Sequence, residues 1–165
     1  MNPSPPWTAE LHRRGFTLIE MVVVVMIVGI LASAAMPLAA LHKRRTQEAD
    51  LRQALRTLRM ALDEHKRAWD AGRIQKKVDD SGYPPNLEVL VQGVPDASSP
   101  AGKRIYFLRR LPRDPFADPS LPAAQTWLTR SYASPPDAPS PGADVFDVVS
   151  RTPGVGLDGV PYRQW

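Results

Sequence analysis

The 165 residues include no cysteine, which excludes a disulfide framework, a thiolate metal site and a cysteine nucleophile. Histidine is almost as scarce. His12, His42 and His65 lie far apart without metal-ligand spacing, and His65, beside Glu64, reads as solvated surface. No serine stands near a histidine and an acid in an arrangement that would build a nucleophile. Residues 21–35 lack charge entirely and hold nothing more polar than Ser33. Proline is nearly missing from the first half: Pro37 is the only one between Trp7 and Tyr83, whereas 14 of the 18 fall between Pro84 and Pro161. Neither sign of charge dominates, with 21 Lys+Arg against 17 Asp+Glu, and acids sit beside the bases. That reads as a solvated surface and excludes a nucleic-acid footprint. An enzyme reading has no residues to rest on. A length of 165 residues supports one domain and little more, here a long N-terminal helix followed by a small, loop-rich part.

The N-terminal segment carries the message. A polar stretch ends in His12-Arg13-Arg14-Gly15; Phe16-Thr17-Leu18-Ile19-Glu20 follows, and then the apolar run from Met21 to Ala35. From Phe16 to Pro37 a helix would span roughly 30 Å of hydrocarbon. Three readings compete: a secretory signal with Ala32-Ser33-Ala34 as its cleavage site, a plain membrane anchor, and a leader cut between Gly15 and Phe16 with the apolar segment retained. Glu20 separates them. An acid near the start of a spanning segment is costly, and a disposable signal or plain anchor has no use for it. After cleavage at Gly15, Phe16 bears a free, positively charged amine that the Glu20 of a neighbouring subunit can neutralise away from water.

The string Arg13-Arg14-Gly15-Phe16-Thr17-Leu18-Ile19-Glu20 resembles the processing site of type IV pilins and type II secretion pseudopilins. The resemblance implies cleavage after Gly15 by a prepilin peptidase, methylation of Phe16, and assembly through Glu20 and Pro37. Lys43, Arg44 and Arg45 outnumber Arg13 and Arg14, so the charge count alone does not place the N-terminus inside. The orientation with the leader in the cytoplasm follows from the resemblance.

From Leu38 to Ala71 there is neither proline nor glycine, and Leu51, Leu55, Leu58, Leu62 and Trp69 recur at helical spacing. Glu48/Arg52 and Asp63/Arg67 are expected as favourable pairs on exposed rows, and Gly72 as the stop. Pro37 predicts a kink or a melted turn. Further on, Asn86 should cap a short helix over 86–91, and three β-rich runs, 104–110, 126–133 and 144–149, alternate with proline-rich connectors. The expected fold is α+β and pilin-like: a long N-terminal helix packed under a small three-stranded antiparallel sheet. Its parts are a leader (1–15), a transmembrane and filament-core helix (16–37), an amphipathic helix (38–72) and a periplasmic β domain (73–165). Gly154-Val155-Gly156-Leu157-Asp158-Gly159 matches a dinucleotide fingerprint in letters only, because six residues follow it and no βαβ unit can form. It reads as a glycine-rich turn, and Asp114-Pro115 likewise as a turn former.

Gly82-Tyr83-Pro84, the segment Leu108–Phe116, and Asp144–Ser150 with Trp165 are similar to the major pseudopilin of type II secretion. That resemblance implies a structural subunit of a periplasmic pseudopilus, a single-pass inner-membrane protein before assembly. Its partners would be copies of itself, other pseudopilins, the prepilin peptidase and the inner-membrane secretion platform. A type IV pilus subunit or minor pseudopilin is the alternative within the class, and a membrane-anchored or secreted periplasmic binding domain the alternative outside it. The resemblance also implies a calcium ion in the C-terminal loop, the one cofactor to consider. Calcium takes six to eight oxygens at about 2.3–2.6 Å. Here Asp147 and Asp158 are the carboxylates near that loop, and Arg151-Thr152-Pro153 stands where an aspartate is expected.

Overall fold

A computed structural model describes residues 15–165, and the side chains of all of them except 34–36. The leader expected over 1–15 lies outside the described residues except for Gly15. The chain divides into two compact units, one ending at His42 and the other covering Lys43–Trp165.

Helix α1, Leu18–Asp70, runs through both units. Pro37 lies inside it, and the helix continues through that position without a melted turn, although Pro37 has no N–H to offer the Ser33 carbonyl. In the first unit the 21 residues from Met21 to Leu41 carry no ionisable group, about 31 Å of helix at 1.5 Å per residue. Among the described residues this is the one helix long and apolar enough to cross a membrane. The consecutive residues Met21, Val22, Val23 and Val24 remain 49%, 54%, 46% and 49% exposed. Four successive residues point to every face of a helix, so no face is covered by the chain itself. A helix that is apolar all round requires lipid or other helices around it.

The second unit forms its core on one stripe of α1. Leu51, Leu55, Leu58 and Leu62 are buried completely or nearly so, with Ala54 and Ala61 filling the intervening turns. Against them pack Leu87, Leu90, Trp127, Val145, Val148 and Tyr162. The helix ends as Gly72 turns left-handed (φ +72°): its N–H bonds the Trp69 carbonyl at 3.0 Å, and the Arg73 N–H bonds that of Ala68 at 2.9 Å. Helix α2 is one turn, Val89–Gln92, and the Asn86 side chain accepts the Val89 N–H at 3.1 Å.

The sheet differs from expectation. In place of three strands in one sheet, there are two antiparallel pairs: β1 (Val94–Pro95) with β2 (Arg104–Ile105), and β3 (Trp127–Arg130) with β4 (Asp147–Ser150). The run after Ile105 leaves the sheet because its donors turn to α2, where the Phe107 and Leu108 amides both bond the Leu90 carbonyl at 3.1 and 2.9 Å. In the second pair Trp127 faces Ser150 and Arg130 faces Asp147, which puts Val148 against the leucine stripe.

Gly82-Tyr83-Pro84 ties these layers together. Gly82 sits at φ +84°, and a side chain there would strike the Trp69 ring at 2.7 Å, so conformation and space both demand glycine. Tyr83 packs edge-on against Phe146, and the Pro84 carbonyl accepts the Val145 N–H at 2.8 Å.

His65, expected at the surface, is buried. Its Nδ1 donates to the Gly82 carbonyl at 2.9 Å, and its ring lies 5.2 Å from that of Phe107. Burial pushes the imidazole below its ordinary value and outweighs the Gly82 carbonyl and Asp80, which both favour the charged form. Below the ordinary value of about 6.5, the unfolded chain binds a proton that the fold refuses, so stability falls as pH drops from 6.5 towards the folded-state value. Asp96 is held down at about 2, first by the Ser98 hydroxyl and then by Arg73, and contributes only at far lower pH. We therefore expect the unfolding midpoint to fall by a few degrees between pH 7.5 and 5. His65→Gln, which keeps a donor for Gly82, should flatten that slope; an unchanged slope in the variant would assign the effect to other groups.

Candidate functional site

Two regions hold the residues singled out from the sequence. The first is the start of α1. Gly15, Phe16 and Thr17 are non-helical and exposed, and the Gly15–Phe16 peptide bond therefore lies just outside the helix. The Thr17 hydroxyl accepts the Glu20 N–H at 3.3 Å, and the Thr17 carbonyl accepts the Met21 N–H at 3.2 Å. Thr-x-x-Glu is the pattern of a capping box, and Thr17 is the reason the helix begins at Leu18. Glu20 thus falls in the first turn, where the helix dipole favours an acid. Among the described residues its carboxylate makes no ion pair. The turn that exposes the junction and the turn that presents the acid are the same turn.

The second region is the loop after β4, Arg151–Trp165. Val155 bridges to Pro161, and Tyr162–Gln164 closes as a short 3₁₀ turn. The loop lies on α1 through one buried carboxylate. Glu48, 3% exposed, accepts the Leu157 N–H at 2.9 Å and the Tyr162 hydroxyl at 3.0 Å, and pairs with Arg44 at 3.4 Å. Burial pushes the Tyr162 phenol up; Arg44 opposes this and Glu48 adds to it, so the phenol stays a donor. Asp147 accepts from Arg59 at 2.8 Å, and Asp158 from Arg52 at 2.7 Å. The two carboxylates suggested for calcium are thus each joined to a separate guanidinium.

The family model of the prokaryotic N-terminal methylation motif matches residues 11–36, which contain the Gly15–Phe16 junction and Glu20. Over a larger part of the chain, type II secretion system core protein G of Klebsiella michiganensis is 33% identical over 108 residues, covering 63% of this chain and 68% of that protein. The same protein of Klebsiella pneumoniae is 33% identical over 109 residues, covering 64% and 70%. That of Pseudomonas aeruginosa is 30% identical over 137 residues, covering 81% and 85%. The chain belongs to the type II secretion system core protein G family. No solved structure matches it.

For a core protein G, sequence reasoning placed the helix start within one or two residues, because an acid and an apolar run are local signals, but it did not read the Thr17 cap. Besides His65, it placed four residues of the second unit wrongly or not at all. Glu48 and Arg52, expected to pair on an exposed row, do not pair with each other: Glu48 is buried towards Arg44 and Arg52 reaches Asp158. Arg67 similarly lies 3.9 Å from Glu64, and gives Asp63 only a long bond to its carbonyl. Asp114, read as a turn former, is 2% exposed and accepts the Phe116 N–H at 2.8 Å, the Thr152 hydroxyl at 3.3 Å and the Ser150 hydroxyl. No local signal marks it: Asp114 stands between Arg113 and Pro115, with Arg109, Arg110 and Asp118 close by, as a solvated turn would have it.

Proposed function

We propose that this core protein G is a structural subunit of the periplasmic pseudopilus of a type II secretion system. It enters the inner membrane through the apolar half of α1, is cut by prepilin peptidase between Gly15 and Phe16, and is methylated on Phe16. It then assembles with further copies, with other pseudopilins and on the inner-membrane platform. The C-terminal unit stands in the periplasm. The observation that carries the reading is the start of α1: an exposed junction, a capped first turn presenting Glu20, and an apolar surface with no covered face. Such a helix buries itself only in lipid or among identical helices, and in the second case the acid of one subunit meets the Phe16 amine of the next. Pro37, which breaks one helical hydrogen bond, supplies a place for the helix to yield on entering the filament.

The test is the N-terminus and mass of protein taken from its native membrane, together with Glu20→Val. A start at N-methylated Phe16 is expected for both chains. Removing one partner of a poorly solvated ion pair costs about 3–5 kcal/mol, so Glu20→Val should cut filament yield by roughly a hundredfold or more while leaving insertion and processing intact. Equal filament yield from Glu20→Val overturns the assembly role. A start at Ala35 or Met36 replaces the whole reading with a soluble periplasmic binding domain.

A further inference from the structure

The C-terminal loop is where the family resemblance implies calcium, and the donors present there do not fit that ion. A calcium site needs six to eight oxygens free to turn inward. Asp158 is the loop's own carboxylate; its Oδ2 accepts from Arg52, and its Oδ1 accepts the Val160 N–H at 3.0 Å. Asp147 Oδ1 accepts both Arg59 Nε and the Val148 N–H, each at 2.8 Å. Several of the loop carbonyls are engaged as well. Val155 accepts from Arg44, Gly154 accepts the Tyr162 N–H at 3.1 Å, and Val160 accepts the Gly156 N–H at 2.8 Å. No group of three or more histidine or acidic side chains gathers among the described residues. A dication beside Asp158 or Asp147 would also sit beside a guanidinium.

What does hold the loop is a row on α1. Residues 44, 48, 52 and 59 are separated by four, four and seven, which brings them to one helix face over the loop. Arg44 and Glu48 grip Val155, Leu157 and Tyr162. Arg52 bonds Asp158 and stacks its guanidinium 4.0 Å from the centre of the Trp165 ring. Arg59 bonds Asp147, the Val148 carbonyl at 3.2 Å and the backbone oxygen of Trp165 at 2.7 Å. Three guanidinium side chains meet three carboxylate side chains, so no side-chain carboxylate here is left in excess to hold a dication. Gly156 completes the arrangement: a side chain there would collide with the Trp165 ring and Asp158, so the turn lies flat under the aromatic cap only as glycine.

We propose that this chain orders its C-terminal loop without a divalent cation, the Arg44–Glu48–Arg52–Arg59 row of α1 supplying the cross-links that calcium would otherwise make. The row joins the loop to the helix from the helix side, whereas a metal would join loop to loop. The fold of the C-terminal unit is therefore independent of the calcium level around it. The inference stands on the loop geometry and holds whether or not the chain assembles into a pseudopilus.

The experiment uses the full chain in detergent micelles, followed by near-ultraviolet circular dichroism on heating and by limited proteolysis with mass mapping of cuts in 151–165. The unfolding midpoint should differ by less than about 1 °C between millimolar calcium chloride and EGTA, whereas a site on the folded state filled at a hundredfold excess over its Kd raises it by roughly 10 °C. Arg52→Gln should open the loop to protease at least about tenfold faster, with calcium unable to restore protection. Glu48→Gln should do the same; where that buried change prevents folding, the half-exposed Arg52 keeps the question answerable. A midpoint that climbs with calcium in the unaltered chain overturns the proposal, as does an Arg52→Gln loop that stays fully protected. Filament yield plays no part in these readouts, so their failure is distinct from a failure of the pseudopilus reading.

Discussion

Leu58→Ala lowers the stability of the C-terminal unit by about 3 kcal/mol, within the 2–5 kcal/mol span for fully buried leucines, and drops its unfolding midpoint by roughly 10 °C. Leu58 is completely buried in the middle of the stripe, with Leu55 and Leu62 one turn away on either side. The loss combines the transfer free energy of the missing carbons with a cavity that neither the helix above nor β4 below can close. Met60→Ala is the control. It lies two residues away on the same helix but 68% exposed, and should change stability by less than about 0.5 kcal/mol. The pair is informative because both halves of α1 are rich in apolar residues. A leucine stripe used for contacts between subunits would leave the isolated chain in micelles unaffected by Leu58→Ala. The stripe here is buried by the chain's own Leu87, Leu90, Trp127, Val145 and Val148, so the loss is expected without any assembly.

Asp114→Ala should cost nearly as much, for a different reason. The carboxylate is the shared acceptor of the Phe116 N–H and of the Ser150 and Thr152 hydroxyls, and the Asp114 N–H itself donates to the Thr126 hydroxyl at 3.2 Å. It joins the Leu111–Phe116 connector to the start of β3 and the end of β4. Alanine leaves up to three donors without an acceptor in a dry site, each worth about 1–3 kcal/mol unless a hydroxyl can rotate towards another oxygen. A net loss of about 3 kcal/mol and a midpoint lower by roughly 10 °C are expected. Asp114→Asn, which keeps the volume and one acceptor oxygen, should recover about half of this. Chemical denaturation of the three proteins side by side gives the comparison. If Asp114→Ala unfolds within about 2 °C of the unaltered chain, the residue is a turn former and nothing more.

Most of the course of α1 was legible along the chain, though not its unbroken passage through Pro37. Glu20 at the head of the apolar run, leucines at helical spacing and Gly72 after the last turn are all signals carried within a few neighbours; the Thr17 cap, equally local, went unread. The structure returns a helix from Leu18 to Asp70 with the leucines inside. Asn86 could be read as an acceptor for the start of α2, although the helix begins three residues further on, at Val89, and not at Asn86 itself. The sheet was less legible. The run at 104–110 has the composition of a strand, yet only Arg104 and Ile105 pair, because the amides beyond them find the Leu90 carbonyl first. Composition describes what a segment tolerates; the competition for its hydrogen bonds is settled by whichever element lies nearest.

Sequence by itself determined the main features of the first unit: a helix starting just after Gly15–Phe16, an acid near its start, and an apolar run long enough to need lipid or other helices around it. Those features need no partner from elsewhere in the chain. Tertiary structure alone decided which polar residues of the second unit are buried. Glu48, His65 and Asp114 look like ordinary surface or turn residues in the sequence, and each is inside because a distant segment arrives to cover it. The Glu48 carboxylate is closed over by Leu157 and Tyr162, 109 and 114 residues further on. Helical periodicity is a property of near neighbours and can be counted along a chain. Burial of a charge is stable only when its partners are in place, and those are delivered by the fold.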